Sequence, residues 1–372
     1  MTKVVSFYLP QFHPIDENDE WWGKGFTEWT NVSQARPRFE GHHQPHVPAD
    51  LGFYDLRLDE TREAQASLAK EYGIYGFCYY HYWFNGRLLL DRPFSEVMSS
   101  GKPDFPFCLC WANENWTRAW DGLDRQVLIK QDYTKEDAYD HIQWFINAFR
   151  DDRYIKIDGR PLLLIYRIDH IPDIKDMVMS WRGAVREAGF PGLYLCAVKN
   201  GFVETEDNDI IALGFDAIVD FQPNRQDFPP PQGFKAWLYR LARRVLPDGL
   251  YQNLKLSVRA NNIVNYHAMV ERIMRKKWPS SYRKFPCVFP SWDNSARRKS
   301  ATIIQNDDPA IYGKWLKHAI KEVGSYPESE RIVFINAWNE WAEGCHLEPD
   351  RRHGHAFLEQ TRNAIKSSGQ SE

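Results

Sequence analysis

The residues best equipped for chemistry are two glutamates three positions apart, Glu340 and Glu343, in the segment IVFINAWNEWAEG at 332–344. The apolar run 332–337 predicts a buried strand. If the turn that follows is helical, the two carboxylates share one face, roughly 5–6 Å apart at Cβ. Two ionised carboxylates that close repel, so one is pushed toward its protonated form near neutral pH. One acid beside one base is what cleavage of a glycosidic bond requires. Trp338 and Trp341, interleaved with the glutamates, offer the flat apolar faces on which sugar rings stack. The plain alternative is a surface turn with two solvated glutamates. It suits most pairs at this spacing, but it suits poorly a turn composed of Trp, Asn, Glu, Trp and Glu.

The elements that must position this pair alternate along the whole chain. Strand-like runs at 4–8, 74–79, 107–111, 162–166, 193–198, 217–221, 287–289 and 332–337 are separated by helix-like stretches, among them 59–72, 135–150, 175–188, 263–277, 309–323 and 356–366. Such alternation predicts parallel βαβ units. Eight repeats fit a (β/α)8 TIM barrel better than an open sheet, and no glycine-rich phosphate loop opens the first helix. The expected organisation is one catalytic barrel domain over 1–366, with long βα loops, a helical insertion at 229–262 and a frayed tail at 367–372. In such barrels the site lies at the C-terminal ends of the strands. The residues that follow the strands are Tyr8 and His13; Tyr80, His81 and Trp83; Trp111, Asn113, Glu114, Trp116 and Arg118; Tyr166; Trp292 and Asp293; and Trp338, Asn339 and Trp341. Aromatic platforms beside amides, imidazoles and carboxylates are the chemistry of a polyol site. These residues, with Trp29, are the expected substrate-binding set.

Composition bounds the function class. Of 372 residues 43% are hydrophobic and 26% charged, as in a globular protein with a proper core. A net charge of −3 implies no general attraction to nucleic acid. The charge is uneven, however: residues 235–299 carry fifteen Lys and Arg against three acids. Within 229–262, Phe234, Trp237, Leu238, Leu241 and Leu246 alternate with basic residues at helical spacing. That pattern predicts a helix packed on the barrel, or else contact with a membrane surface or a lipid-linked glycan through 235–299. The six cysteines sit mostly in apolar strand-like runs and show no metal spacing, as buried free thiols do. A reducing, cytoplasmic location is expected, since no signal-like or membrane-spanning run appears.

Several long motifs are recognisable. FYLPQFHPI at 7–15, DEWWGKGFTEWTN at 19–31, DLGFYDLR at 50–57, WANENWTR at 111–118 and NEWAEG at 339–344 resemble the WbsX-like family, over nearly the whole chain. Members are usually described as glycosyltransferases or lipopolysaccharide-biosynthesis proteins. The last motif is also similar to that of glycoside hydrolase family 99, endo-acting α-mannosidases and α-mannanases with a (β/α)8 fold. That resemblance implies Glu343 as general acid/base at the glycosidic oxygen and Glu340 as the base that deprotonates the sugar's own 2-hydroxyl. The hydroxyl then attacks the anomeric carbon, giving a 1,2-anhydro sugar and net retention. The expected function is therefore retaining, hydrolase-like cleavage of a bacterial surface polysaccharide or an α-mannoside-type glycan. The alternative is a glycosyltransferase or transglycosylase in O-antigen or capsule assembly. A purely glycan-binding role has no use for two mutually repelling carboxylates.

His42, His43 and His46 cluster in the rigid loop 41–47, yet no Cys or carboxylate stands at ligand spacing, so loop structure is the expectation and neither metal nor cofactor is implied. The expected partner is an oligo- or polysaccharide substrate.

Overall fold

The computed structural model describes residues 1–118, 123–230 and 261–369, with the side chains of 117–118, 123–126 and 368–369 outside that set. The expected insertion at 229–262 and its amphipathic pattern fall almost entirely on 231–260 and lie outside the described residues.

Eight parallel strands close on themselves. They are β1 (Lys3–Tyr8), β2 (Gly76–Phe84), β3 (Phe107–Trp111), β4 (Arg160–Ile165), β5 (Tyr194–Val198), β6 (Ala217–Asp220), β7 (Arg283–Val288) and β8 (Ile332–Ile335). Closure comes from β1, which pairs with β8 (Lys3 opposite Ile332) and with β2 (Val5 opposite Gly76). The architecture is the expected (β/α)8 barrel. β3, β5 and β8 are buried at every residue, as strands covered on both faces must be.

The helices are α1 (Asp16–Trp22), α2 (Glu28–Gln34), α3 (Asp59–Glu71), α4 (Arg92–Ser100), α5 (Lys135–Phe149), α6 (Ile174–Glu187), α7 (Asp207–Ala212), α8 (Tyr266–Met274), α9 (Pro309–Glu322) and α10 (Ala356–Gly369). Local chemistry explains where several begin. The Thr134 hydroxyl accepts from the Asp137 amide at the start of α5, and Asp308 caps α9 ahead of Pro309. α6 buries Ile174, Met177, Val178, Trp181 and Val185, the i, i+3, i+4, i+7 stripe of an amphipathic helix.

Two boundaries differ from the sequence reading. The helix expected from 263 starts at Tyr266, because the Asn265 side chain caps it by accepting from Ala268 N (2.9 Å). The β-branched residues before it join a strand, Asn262–Asn265, which pairs with Thr302–Gln305 beside Trp292–Asp293. At the other end α10 runs through Gly369, three residues into the expected frayed tail.

The barrel interior is plugged by aromatic rings. Phe7 lies 5.2 Å from Phe221 and 5.5 Å from both Tyr80 and Phe334, ring centre to ring centre. This plug forms the floor of the site. Among the described residues no helix is long and apolar enough to cross a membrane. All six cysteines are buried free thiols.

Candidate active site

A cavity of about 890 Å³ opens at the C-terminal ends of the strands, and residues from all eight strand ends line it. Leu9 and Gln11 follow β1, Tyr80 and Tyr82 end β2, and Glu114 follows β3. Tyr166 and His170 follow β4, and Asn200–Phe202 follow β5. Phe221 and Arg225 follow β6, Trp292 and Arg297 follow β7, and Glu340 and Glu343 follow β8. Trp21 and Trp22 of α1 and Trp116 complete aromatic walls.

The turn carrying the two glutamates is a single 3-10 turn, Trp341–Glu343, rather than the α-turn the spacing suggests. Glu340 stands just before that turn, at its N-cap, and both glutamates line the cavity. Asn339 and Glu340 form a short ladder with Cys345 and His346, which returns the chain directly under the turn. Gly344 permits that return. It has φ +57°, and a Cβ there would stand 3.0–3.1 Å from the Asp293 backbone and side chain.

Glu340 is 6% exposed, and its Oε2 is buried without a hydrogen-bond partner. Burial pushes its carboxyl well above the usual range, and Glu343 beside it pushes the same way, while Arg297 opposes both. Glu343 forms an ion pair with the Arg297 guanidinium. A third carboxyl, Glu28 at the start of α2, is fully buried behind this pair. Burial raises it to about 7, with Arg297 opposing and Glu343 assisting. The arrangement is three carboxyls around one guanidinium. Arg297 is itself held more strongly protonated by Glu343, Glu28 and Glu340, against the effect of burial.

Another buried carboxyl fixes the turn from below. Glu348 accepts from Trp341 Nε1 (2.6 Å), Gln65 Nε2 (2.6 Å) and the Tyr54 hydroxyl (2.8 Å), and burial raises it to about 7 against those bonds. Both Glu28 and Glu348 are thus more basic folded than unfolded. Their contribution to stability is complete below the unfolded value near 4.5 and is lost as pH rises through 7. Each swing amounts to roughly 3 kcal/mol. Glu28→Gln is expected to flatten the fall in melting temperature between pH 5 and 8. An unchanged profile would mean that Glu28 is not protonated in the fold.

Of the residues expected to bind substrate, Tyr80, Glu114, Trp116, Tyr166 and Trp292 line the cavity together with Glu340 and Glu343. Glu114 is also ion-paired to Arg167 (2.6 Å). The others stand elsewhere, largely because strand side chains alternate between faces. In β2, Tyr80 and Tyr82 face the cavity. His81 and Trp83 face α5, where His81 bonds His141 (2.9 Å) and Trp83 bonds Asp137 (2.9 Å). Trp111 packs on His141 and Trp181, and Tyr8 donates to Gln65. Trp338 packs on Phe77, and Trp29 on Phe12 and Trp341.

The polar members of this set are occupied by backbone. His13 Nδ1 bonds the Pro10 carbonyl; Asn339 bonds both the amide and the carbonyl of Leu9; Asn113 bonds the amide and the carbonyl of Arg167. Asp293 accepts from His42 (2.6 Å), Gln44 (2.8 Å) and the Ser295 amide (2.9 Å), so it braces loops. These residues position the site without lining it. The Arg118 side chain lies outside the described residues.

Arg297, Glu28, Trp21, Trp22 and the Asn200–Phe202 group were not in the expected set. Glu28 stands inside the motif GFTEW at 25–29, yet only tertiary contact shows it behind Glu343. The basic segment is also partly spent inside the fold. Lys276 pairs with Asp227, Lys284 with Asp207 and Asp220, Arg283 with Glu330, and Arg297 with Glu343.

The chain is thus a closed (β/α)8 barrel with a carboxyl pair in an aromatic-walled cleft at its strand ends. A family model described as Glycosyltransferase WbsX matches residues 4–361, and the chain belongs to that family. Two proteins described as uncharacterized protein WxcX, from two strains of Xanthomonas campestris pv. campestris, are each 42% identical over 364 residues. The match covers 97% of this chain and 49% of theirs, so the chain spans about half the length of the curated relatives it matches. Among solved structures, the family 99 endo-α-mannosidase from Bacteroides thetaiotaomicron is similar in fold (TM-score 0.56, 14% identity, 99% of this chain and 98% of that one). A glycoside hydrolase-like protein is similar too (TM-score 0.59, 14% identity, 98% and 93%).

Proposed function

We propose that this chain breaks a glycosidic bond with retention of configuration, using Glu340 and Glu343 as the proton-transfer pair and the aromatic walls as the sugar platform. The observation that carries the reading is the position of Glu340. It is a buried carboxyl with a raised proton affinity and an unpartnered oxygen, beside Glu343, in the cavity onto which all eight strand ends converge. Once ionised, a group of that kind is a stronger base than an ordinary carboxylate. A sugar 2-hydroxyl is the proton donor that the family 99 mechanism supplies.

In this reading Glu340 takes the 2-hydroxyl proton as that oxygen attacks the anomeric carbon. Glu343 gives a proton to the departing oxygen. The 1,2-anhydro ring then opens when Glu343 takes a proton from the incoming acceptor and Glu340 returns its own to the 2-oxygen. The pair therefore works with one shared proton. Arg297, bound to Glu343, biases that proton toward Glu340 in the resting site, so entry of the glycan has to loosen the Arg297–Glu343 pair before Glu343 can act as an acid.

The acceptor is water in hydrolysis and a second glycan in transfer. The family description, a glycosyltransferase, favours transfer, and both fates share the first half-reaction. α-Mannosides are the first substrates to try, followed by bacterial surface-polysaccharide fragments. Incubation with each, read by mass spectrometry and anomer-resolved NMR, tests the proposal. Retained anomeric configuration in a product supports it, and an inverted product sinks it. Transfer to an added acceptor glycan separates the two fates.

Trp292 lines the cavity and is only partly buried. Trp292→Ala is expected to raise KM about tenfold with kcat nearly unchanged, the result of losing about 1.4 kcal/mol of uniform binding. Steady-state kinetics on the cleaved fragment checks this. A fall confined to kcat would place Trp292 in the transition state instead.

A further inference from the structure

Behind the catalytic turn, on the side away from the cavity, three buried side chains converge from two loops. His46 comes from the loop after α2, and His346 and Asp350 from the loop after the Glu340–Glu343 turn. Their ligand atoms all lie within 4.8 Å of one another. We propose that His46, His346 and Asp350 bind one divalent transition-metal ion of the zinc type, which clamps the 345–350 loop beneath the turn that carries the glutamates.

The donor atoms are pre-aimed. His346 Nδ1 stands 3.0 Å from the Glu348 carbonyl, which can only accept. Nδ1 therefore carries the proton, and Nε2 presents its lone pair to the cluster. A second bond of this kind is what orients metal-binding imidazoles. His46 Nδ1 is 3.0 Å from that Nε2 and bonds it when no ion is bound. Moving the His46 proton to its own Nε2 frees the second lone pair without net proton release. Asp350 Oδ1 is committed to the amides of Arg352 (2.9 Å) and His353 (2.6 Å). Its Oδ2 faces the imidazoles, 3.9 Å from His346 Nε2 and 3.7 Å from His353 Nδ1.

Those separations can accommodate an ion. Ligands on one tetrahedral ion with bonds of about 2.0–2.1 Å stand roughly 3.3 Å apart. The observed 3.0 and 3.9 Å bracket that spacing, and 3.9 Å is beyond hydrogen-bond reach. The charge states also fit. Burial lowers both His46 and His346, leaving neutral imidazoles. Asp350 is held well below the usual carboxylate range: burial opposes this, but hydrogen bonds from His353 outweigh it. Two neutral imidazoles and one carboxylate suit zinc, cobalt or nickel, whereas calcium and magnesium take oxygen ligands.

The backbone already holds the two loops together. Ala49 N bonds Pro349 O and Arg351 N bonds Val47 O, both at 2.9 Å. His346 stacks on Trp341 with ring centres 3.7 Å apart, and its strand pairs with Asn339. An ion at His346 would thus stiffen the segment from which Glu340 projects.

The test uses the full chain without a histidine tag, stripped with a chelator. Zinc chloride is titrated calorimetrically, cobalt(II) is followed by visible absorption, and melting is recorded with and without zinc. The expected result is one zinc per chain, a tetrahedral cobalt spectrum and a zinc-dependent rise in melting temperature. His46→Gln and Asp350→Asn should each weaken binding at least about 100-fold and remove the cobalt band. Asn at 350 keeps the acceptor for the two amides, and His46 lies on a loop, so metal-free melting separates loss of binding from loss of fold. If either variant does not fold, the other decides. Absence of stoichiometric zinc binding to the wild type overturns the proposal, as does wild-type affinity in the folded variants.

Discussion

Glu343→Gln should lower cleavage of an unactivated glycan by roughly 10³-fold, and Glu340→Gln by a similar factor, since positioned acid–base groups contribute about 10²–10⁴-fold. Both substitutions keep shape and volume and abolish proton transfer, so circular dichroism should stay near wild type, while Glu343→Gln also removes the Arg297 ion pair and should melt lower. The two separate on an aryl glycoside whose leaving group departs without a proton. There Glu343→Gln should recover to within about tenfold of wild type, because only the acid step was lost. Glu340→Gln should not recover, because attack by the 2-hydroxyl still needs its base. The opposite pattern would exchange the roles. In the resting site burial holds the proton on Glu340 and Arg297 is bound to Glu343, so these roles require the proton to pass to Glu343 as the glycan enters. Wild-type turnover in either variant would remove the pair from the mechanism.

Arg297→Gln should destabilise the protein by roughly 3–5 kcal/mol at pH 8, the usual result of removing one partner from a buried charge cluster. The variant leaves Glu28, Glu340 and Glu343 facing one another without a cation. Its sign with pH follows from the two carboxyls whose affinity for protons is already raised. At pH 5 Glu28 and Glu340 are protonated and lose little when the guanidinium goes. At pH 8 Glu28 must ionise beside Glu343, or be protonated at a cost that grows with pH. Urea denaturation at both pH values measures the difference. Much of the loss should return at pH 5 and in the double variant Arg297→Gln/Glu28→Gln. An equal loss at both pH values would show that Arg297 acts by packing alone.

Much of the fold was legible because barrel strands are short apolar runs that helices separate at regular intervals. Each of the eight expected strand runs overlaps a barrel strand. The boundaries that moved did so where a side chain overrode periodicity, as Asn265 does at the start of α8. The turn that carries the carboxyl pair was legible as well, because Glu340 and Glu343 are neighbours in the chain.

The binding set was less legible, for a geometric reason. Tyr80, His81, Tyr82 and Trp83 look alike as a string, but in a strand they point alternately to opposite faces. Only the closed barrel decides which face is the cavity. Buried Asn113, Asn339 and Asp293 have the right chemistry for a sugar and use it on the protein's own loops. Their residue types cannot reveal that.

By itself, then, the chain order determined the barrel, the strand-end location of the site and the adjacency of two carboxylates, because all three depend on local periodicity and short spacing. Tertiary structure alone decided what surrounds them. It brought Glu28 from α2 and Arg297 from the loop after β7 to the same turn, and set His46 beside His346 and Asp350 across some 300 positions of sequence. Electrostatics and ligation act through distance in space, and chain separation says nothing of that distance until the barrel has closed.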